Sequence, residues 1–173
     1  MNDSDDERKC EIMKMIYLRN CNVECPKMKA TVKGIIPTWI NGSLIRNGPG
    51  LYKIANDEYQ HLFDYPSLIH KFSIQNGEIF YENKFLKSAA YFRNKEMQRI
   101  VVTEFGTKGI PDPCKSLLSR FMSRFSVDNM VSDNVAINII NIGDDVYAAG
   151  DTVYLTKIDP KNLNTIERNK LVS

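Results

Sequence analysis

The sequence predicts an all-β fold, and three observations support this prediction. Short apolar runs rich in β-branched and aromatic residues alternate with turn residues from about residue 30 onward. The dipeptide Asn76-Gly77 stands between two such runs, as in a tight β-hairpin. No part of the chain alternates strands with long helices, as a parallel-sheet protein would. A sandwich, a barrel or a propeller fits this rhythm equally well.

The predicted strands follow one another between residues 45 and 158. In chain order they are IRN, LYKI, LIHKFSIQ, EIFYENKF, RIVVTEF, AINIINI, DVYAA and TVYLTKI. The turn at Asn76-Gly77 suits type I′, because both residues tolerate positive φ, and it pairs Phe72 with Tyr81. The segments GDD, from Gly143, and IDPKNL, from Ile158, predict two further turns.

The stretch IRNGPGLYKI, residues 45–54, predicts an abrupt turn between two apolar runs. Pro49 fixes φ, and Gly48 and Gly50 reach positive φ without steric cost. Asn47 can bond the backbone that follows it. We therefore expect the chain to reverse direction between Asn47 and Gly50.

Composition and charge exclude several classes of protein. The 173 residues are 43% hydrophobic and 25% charged, as in an ordinary globular domain. The formal net charge of +2 gives no basis for a nucleic-acid partner. No run approaches the roughly 18 apolar residues of a membrane span, and the start MNDSDDERK is acidic, unlike a secretory signal. We expect a cytoplasmic protein.

The chain divides into two regions of different character. Residues 1–30 carry an acidic start and no sustained period, which predicts a mobile tail and a lead-in, whereas residues 31–173 form the β domain. The four cysteines, Cys10, Cys21, Cys25 and Cys114, are expected to be free thiols. The C-x3-C spacing of Cys21 and Cys25 could serve zinc, but no second Cys or His pair lies nearby to complete four ligands.

One segment, PDPCKSLLSRFMSRF at residues 111–125, breaks the β pattern and predicts a short amphipathic helix. Serine and arginine side chains share one face of this helix. The opposite face carries Leu117, Leu118, Phe121, Met122 and Phe125. Such a face suits a lipid surface or packing against the β domain, and amphipathicity alone does not choose between them.

His61 and His70, with Asp64 between them, are the first candidates for chemistry. Two imidazoles and a carboxylate could form the facial triad of a non-heme iron site. Pro66 lies in a predicted bend between the two histidines, so nothing fixes the three side chains on one face. Polar groups bonded to backbone near a turn are the favoured interpretation.

Several separate blocks of the sequence resemble one known family. They are GIIPTWINGSLIRNGPGLYKI, EYQHLFD, IHKFSIQNGEIFYENKFLKS, RIVVTEFGT, PDPCKSLLSRFMSRF and YLTKIDPKNL. From about Val32 to about Leu163 they resemble the amino-terminal third of the animal carotenoid cleavage oxygenases, a family that includes the β-carotene oxygenases and the retinoid isomerase. The Arg-Asn-Gly-Pro-Gly stretch is one of the signatures of that family.

The resemblance implies a seven-bladed β-propeller whose opening blades this chain supplies, about three at roughly 40–50 residues each. It implies Fe²⁺ held on the propeller axis by four histidines, and cleavage of a polyene double bond with O₂. The family's four iron ligands follow the region matched here, and His61 and His70 match positions that do not bind metal. We therefore expect no iron bound to this chain.

The resemblance also assigns roles to individual residues. Phe63 and Phe105 match aromatic residues that line the family's substrate tunnel, although such residues are also commonly core aromatics. Asp151 stands where the family usually has a glutamate that bonds an iron-binding imidazole, and it is one methylene shorter. Cys114 matches a position acylated in part of the family, next to the apolar helix face, which implies membrane contact.

Two departures from the family pattern affect the predicted tunnel. Tyr65 and Pro66 follow Asp64 where the family usually has glycine, and Gly150 replaces a common threonine. The preferred interpretation remains the amino-terminal portion of an iron(II)-dependent carotenoid oxygenase that gives retinal or apocarotenal products, with a carotenoid or retinoid substrate and a peripheral membrane contact. The alternatives are a non-catalytic membrane or interaction module, and an enzyme resembling the retinoid isomerase.

Overall fold

The computed structural model describes residues 19–110 and 132–171, together with residues 8–9 and 12–13. The amphipathic helix predicted over 111–125 lies outside the described residues. The strands are β1 (Met28–Lys29), β2 (Gly42–Pro49), β3 (Lys53–Ile54), β4 (Asp57–Glu58), β5 (Ser67–Gln75), β6 (Glu78–Phe85), β7 (Asn138–Ile142), β8 (Asp145–Ala149), β9 (Tyr154–Ile158) and β10 (Thr165–Lys170). Helix α1 covers Ala89–Met97, and a 3₁₀ turn covers Leu62–Asp64. The architecture is mostly β, as predicted.

Strands β1, β6, β5 and β2 form the first sheet, in that order and all antiparallel. The β5–β6 hairpin confirms the prediction from Asn76-Gly77, because Phe72 pairs with Tyr81. Asn76 and Gly77 have φ angles of 52° and 78°, the two positive values that a type I′ turn requires.

Strands β10, β9, β8 and β7 form the second sheet, an antiparallel meander. Gly143, with a φ of 61°, begins the tight connection between β7 and β8, which confirms the second predicted turn. The third lies between β9 and β10, where the Leu163 N–H donates to the carbonyl of Asp159 at 2.7 Å. Strand β10 itself was not predicted.

The prediction of an abrupt turn at Asn47–Gly50 is wrong. Residues 47–49 are the last of β2 and pair with β5. Proline is tolerated there because β2 lies at the edge of the sheet, where the outward-pointing N–H groups have no partner strand. Gly50 serves close packing, since a Cβ at this position would lie 2.4 Å from Cε1 of Phe85 and 2.7 Å from Cβ of Leu68.

The run RIVVTEF, predicted as a strand, forms no strand in the structure. Three consecutive N–H groups of the run bond to side chains and to no neighbouring strand. The Ile100 N–H donates to Oδ2 of Asp57 at 3.1 Å. The N–H groups of Val101 and Val102 both donate to Oδ1 of Asn94, at 2.9 and 3.1 Å. Asn94 is buried on α1, so this run follows the helix closely.

Helix α1 was missed by the sequence analysis because its apolar residues do not gather on one face. Its start is fixed by two polar side chains. Oγ of Ser88 accepts from the Tyr91 N–H at 3.0 Å. The carboxylate of Asp133 accepts from the N–H groups of Ala89 and Ala90, at 2.7 and 2.9 Å. Negative charge at this end of a helix is favourable because the free N–H groups point toward it.

The two sheets pack on each other through an apolar core. Its buried members are Ile69, Leu86, Val135, Ala148, Tyr154, Ile158 and Leu163. A second buried cluster, of Ile54, Tyr59, Tyr65 and Ile100, lies under the 3₁₀ turn.

The lead-in to the β domain is attached to the first sheet. β1 lies within residues 1–30 and pairs with β6. Oε1 of Glu24 accepts from the Phe85 N–H at 3.0 Å and from Nζ of Lys87 at 2.7 Å. Residues from Asn20 onward therefore belong to the packed part of the chain, because the Asn20 side chain also bonds to the backbone of Lys53.

Candidate functional site

Three aromatic side chains meet beside the 3₁₀ turn, and we call them the aromatic cluster: His61, Phe63 and Phe105. The ring of His61 lies 5.1 Å from that of Phe63 and 5.2 Å from that of Phe105, edge-on in both cases. Phe63 is 46% exposed and Phe105 is 76% exposed. The structure therefore brings together the two aromatic residues that the sequence analysis assigned to a substrate tunnel, as an accessible surface and not as core residues.

His61 holds the turn on which Phe63 lies. It is the N-cap of the 3₁₀ turn, and its Nδ1 accepts from the Phe63 N–H at 3.3 Å. An Nδ1 that accepts carries no proton, so a neutral imidazole in this place carries its proton on Nε2. His61 thus contributes both a ring and a polar edge to the aromatic cluster.

The carboxylate of Asp64 joins the turn that carries Phe63 to the loop that carries Phe105. It accepts from the Gly106 N–H at 3.0 and 3.2 Å and from Oγ1 of Thr107 at 2.6 Å. Thr107 also accepts at Oγ1 from the Gln60 N–H at 2.7 Å. Asp64 is 1% exposed, so these hydrogen bonds stand where water does not compete.

Glu104 lies in the loop that carries Phe105, and its carboxyl group accepts from Oγ of Ser132 at 2.7 Å. Burial raises the pKa of Glu104 from 4.5 to about 8, against the opposing effect of the Ser132 hydrogen bond. The negative charges of Asp64, Asp133 and Asp151 raise this pKa further. Glu104 therefore holds its proton to a higher pH than an ordinary carboxyl does.

The segment 132–134, just before β7, ties the surrounding elements together. Nδ2 of Asn134 donates to the carbonyls of Asp64 and Tyr65 at 3.2 and 2.8 Å. Its Oδ1 accepts from the Ser67 N–H at 3.1 Å, at the start of β5. Sequence analysis did not single out this segment, because its side chains bond to backbone atoms that are distant in the sequence.

Asp151 lies just after β8 and is exposed, and its charge raises the pKa of Glu104. Gly150 beside it packs against Val135: a Cβ at Gly150 would lie 2.8 Å from the Val135 Cα. The backbone therefore leaves no room here for the side chain of the threonine that is common in the family.

Tyr65 does not extend the aromatic cluster. Its ring is buried with Tyr52 and Tyr59, at centroid distances of 6.0 and 5.8 Å. The following residue, Pro66, accepts at its carbonyl from the Gly50 N–H at 2.8 Å. The side chain of Tyr65, which stands where the family usually has glycine, is thus buried in the core.

His70 lies away from the aromatic cluster, in β5 on the open face of the first sheet. Its Nδ1 is 2.7 Å from the hydroxyl of Tyr81. Burial lowers the pKa of His70, and the nearby charge of Arg46 lowers it further. A cavity of about 670 Å³ lies over this face. It is lined by Met28, Lys29, Ala30, Arg46, Asn47, Gly48, Pro49, His70, Phe72 and Tyr81.

Comparison with protein families decides which family this architecture represents. The family described as RPE65, retinal pigment epithelial membrane protein, matches residues 18–172. The chain belongs to the RPE65 family. The match includes both sheets, the aromatic cluster and the segment 132–134.

Curated relatives of this RPE65-family chain are similar over most of its length. It is 45% identical over 157 residues to a protein of Rattus norvegicus named β,β-carotene 15,15′-dioxygenase, covering 90% of this chain and 28% of the rat protein. It is 40% identical over 158 residues to a carotenoid isomerooxygenase of Galleria mellonella, covering 91% of this chain and 31% of that protein. The chain thus spans less than a third of the length of these relatives.

Solved structures of similar shape support the fold of this RPE65-family chain. A D477G ACO/RPE65 chimera superposes with a TM-score of 0.73 at 23% identity, over 88% of this chain and 31% of the chimera. Cobalt-substituted Synechocystis ACO superposes with a TM-score of 0.71 at 23% identity, over 88% of this chain and 30% of that protein.

Iron, which the resemblance implies for the RPE65 family, does not fit the residues that the structure describes. Within them, no three His, Cys, Asp or Glu side chains gather in a way that could hold a metal ion. Nδ1 of His61 bonds to backbone and Nδ1 of His70 to a tyrosine hydroxyl, in two separate parts of the fold. The triad of His61, Asp64 and His70 is not assembled, since Asp64 is bonded to Gly106 and Thr107.

The residues predicted to contact a membrane lie outside the described ranges, namely Cys114, Leu117, Leu118, Phe121, Met122 and Phe125. Their role stays a prediction. In the ranges that the structure does describe, no helix has the length and hydropathy to cross a bilayer.

Proposed function

We propose that this chain is the amino-terminal portion of a carotenoid cleavage oxygenase, and that the aromatic cluster binds the polyene substrate. The observation that carries the proposal is the convergence of Phe63 and Phe105, 42 positions apart in the chain, on one imidazole. Named relatives at 40–45% identity support a carotenoid as the substrate class.

Two properties of the aromatic cluster suit a polyene. Exposed rings offer flat apolar area to a substrate that is also flat and apolar, so both lose contact with water on binding. The negative faces of the rings also favour any positive charge that develops along the polyene during cleavage. Phe63 and Phe105 would bind and orient the polyene, and they would keep water from the double bond that is cleaved.

We further propose that the first and second sheets are neighbouring blades of a seven-bladed β-propeller. Each is a four-stranded antiparallel sheet, and they pack face to face through one apolar core. The outer face of the first sheet, which carries Phe72 and Tyr81, would then be covered by another blade of the complete protein. Iron(II) would be held by residues outside this chain, with Asp151 near the imidazoles that bind it.

A cytoplasmic location with peripheral membrane attachment completes the proposal. Carotenoids do not dissolve in water, so an enzyme that takes them from a bilayer gains from a lipid-facing helix beside its tunnel. The segment 111–125 leads from the loop of Phe105 and carries such an apolar face in its sequence.

The test is an assay of the complete protein that carries this chain. Transcript sequencing past the codon for Ser173 shows whether iron-ligand motifs follow. The complete protein, loaded with ferrous ion, is then incubated with β-carotene under air, and retinal and apocarotenals are measured by chromatography. Cleavage that falls on Phe105→Ala but persists on Phe92→Ala, another exposed phenylalanine, supports the proposal. Iron-loaded protein that cleaves no carotenoid and no retinoid ester contradicts it.

A further inference from the structure

Among the residues that the structure describes, Phe105 has one ring contact, with His61. Its ring is 76% exposed. An exposed ring on a loop keeps one position only if its backbone is fixed. The groups that fix the backbone around Phe105 therefore decide where the ring stands.

Within the loop, the Glu104 N–H donates to the carbonyl of Thr107 at 2.9 Å. The carboxylate of Asp64 ties this loop to the 3₁₀ turn. Asp64 accepts from the N–H of Gly106, the residue after Phe105, and from the hydroxyl of Thr107. Asp64 itself directly follows Phe63 on the 3₁₀ turn. Phe63 and Phe105 are thus each followed in the sequence by one of the two residues, Asp64 and Gly106, that are hydrogen-bonded to each other. We call these hydrogen bonds between Asp64 and residues 106 and 107 the link.

Gly106 allows this link to be short. A Cβ at Gly106 would lie 2.6 Å from the Cβ of His61, so any side chain there would push the loop away from the turn. A buried carboxylate is costly, and hydrogen bonds from two donors of one loop offset much of that cost. Weaker hydrogen bonding would hold the loop less rigidly.

We propose that Asp64 is a positioning residue: it sets the spacing of Phe63 and Phe105 and so the shape of the surface that the aromatic cluster presents to substrate. The part concerning substrate rests on the proposed function, whereas the part concerning spacing does not. Asp64 acts through the backbone of the loop and contacts no substrate itself.

The chain contains two histidines, which makes the proposal measurable by NMR. His61 contacts both rings, so its imidazole signals carry the ring-current shifts of Phe63 and Phe105. His70, bonded to Tyr81 in the first sheet, reports whether the fold is intact. The 173-residue chain with isotope-labelled imidazoles gives the signals of two histidine rings. The variant Phe105→Ala shows which signals belong to His61, and it gives their positions without the ring current of Phe105.

Three variants test the link at one fixed pH. Asp64→Asn replaces an acceptor oxygen by a donor, and Thr107→Val removes the hydroxyl at nearly constant shape. Thr107→Ser keeps the hydroxyl and serves as the matched control. We expect the His61 signals to move toward their Phe105→Ala positions in the first two variants, and to stay in place in Thr107→Ser. The His70 signals are expected to stay in place in all three.

The outcomes separate cleanly. His61 signals that stay at their wild-type positions in both Asp64→Asn and Thr107→Val, while Phe105→Ala moves them, overturn the proposal. Loss of the native His70 signals in both variants also overturns it, because Asp64 would then maintain the fold and not the spacing. Since no turnover is measured, failure of carotenoid cleavage would leave this result untouched.

Discussion

Replacing Glu104 by glutamine is expected to remove a pH dependence of stability that this one carboxyl group creates. In the folded chain its pKa is raised from 4.5 to about 8, chiefly by burial. A carboxyl whose pKa is higher in the folded than in the unfolded state stabilises the fold while it is protonated. That contribution is complete below about pH 4.5 and is lost as the pH rises through about 8.

The size of the effect follows from the shift. Each unit of pKa corresponds to about 1.4 kcal/mol, so the rise from 4.5 to about 8 amounts to ~5 kcal/mol in full. Between about pH 5 and about pH 8 the free energy of unfolding should fall by about 3 kcal/mol through Glu104 alone. This is a large part of the roughly 5–15 kcal/mol that holds a typical domain together.

The assay is urea unfolding of wild type and Glu104→Gln across this pH range. Glutamine can still accept from Ser132 but does not titrate, so the variant should lose the slope that the wild type shows. Asp151→Asn, which removes a neighbouring negative charge, should move the slope to lower pH. Parallel stability curves for wild type and Glu104→Gln would refute the assignment of this buried proton to Glu104.

Three further predictions concern the hairpin, the membrane and the metal. Gly77→Val should lower the free energy of unfolding by roughly 1 kcal/mol or more, because Gly77 has a φ of 78°; an unchanged melting temperature would count against it. Phe121→Ser with Phe125→Ser should sharply weaken flotation with liposomes, and equal flotation of both proteins would dismiss the lipid-facing helix. The 173-residue chain, refolded anaerobically with ferrous ion, should hold no stoichiometric iron; near-equimolar iron lost on His61→Ala or His70→Ala would restore the rejected triad.

Local rules predicted the hairpins well. The Asn76-Gly77 turn and the turn at Gly143 depend on residues that tolerate positive φ, and that property is visible in the sequence. The same rules failed at residues 47–49, where the composition of a turn occurs in an edge strand. Strand order decides whether a proline is tolerated, and no short window of sequence reveals strand order.

The misread run RIVVTEF shows a second limit. Its β-branched residues suit a strand, yet its N–H groups bond to Asn94 and Asp57. These partners are side chains on other elements, so the period of the run could not indicate them. Helix α1 was missed because its apolar residues do not gather on one face, and the Asp133 carboxylate that supports its start lies 44 residues beyond Ala89.

In the candidate site, too, the sequence predicted some residues but not the contacts between distant parts of the chain. The resemblance to a family identified Phe63 and Phe105, and the structure places them around one imidazole. Sequence analysis weighed Asp64 as a metal ligand and favoured a polar group bonded to backbone near a turn, but it could not name the partners. Its two hydrogen-bond donors, on residues 106 and 107, lie 42 and 43 positions away, and only the folded chain brings them together.

Retinal formation by a chimera tests the central claim most directly. The matching segment of the rat β,β-carotene 15,15′-dioxygenase, 157 residues long, is replaced by this chain, and the rest of the rat protein is kept. If the chain supplies the aromatic surface of a carotenoid oxygenase, the purified chimera should bind iron and release retinal from β-carotene. Phe105→Ala in the chimera should reduce turnover roughly tenfold, as the loss of an aromatic contact worth ~1.4 kcal/mol would. A soluble, iron-containing chimera that releases no retinal would contradict the account.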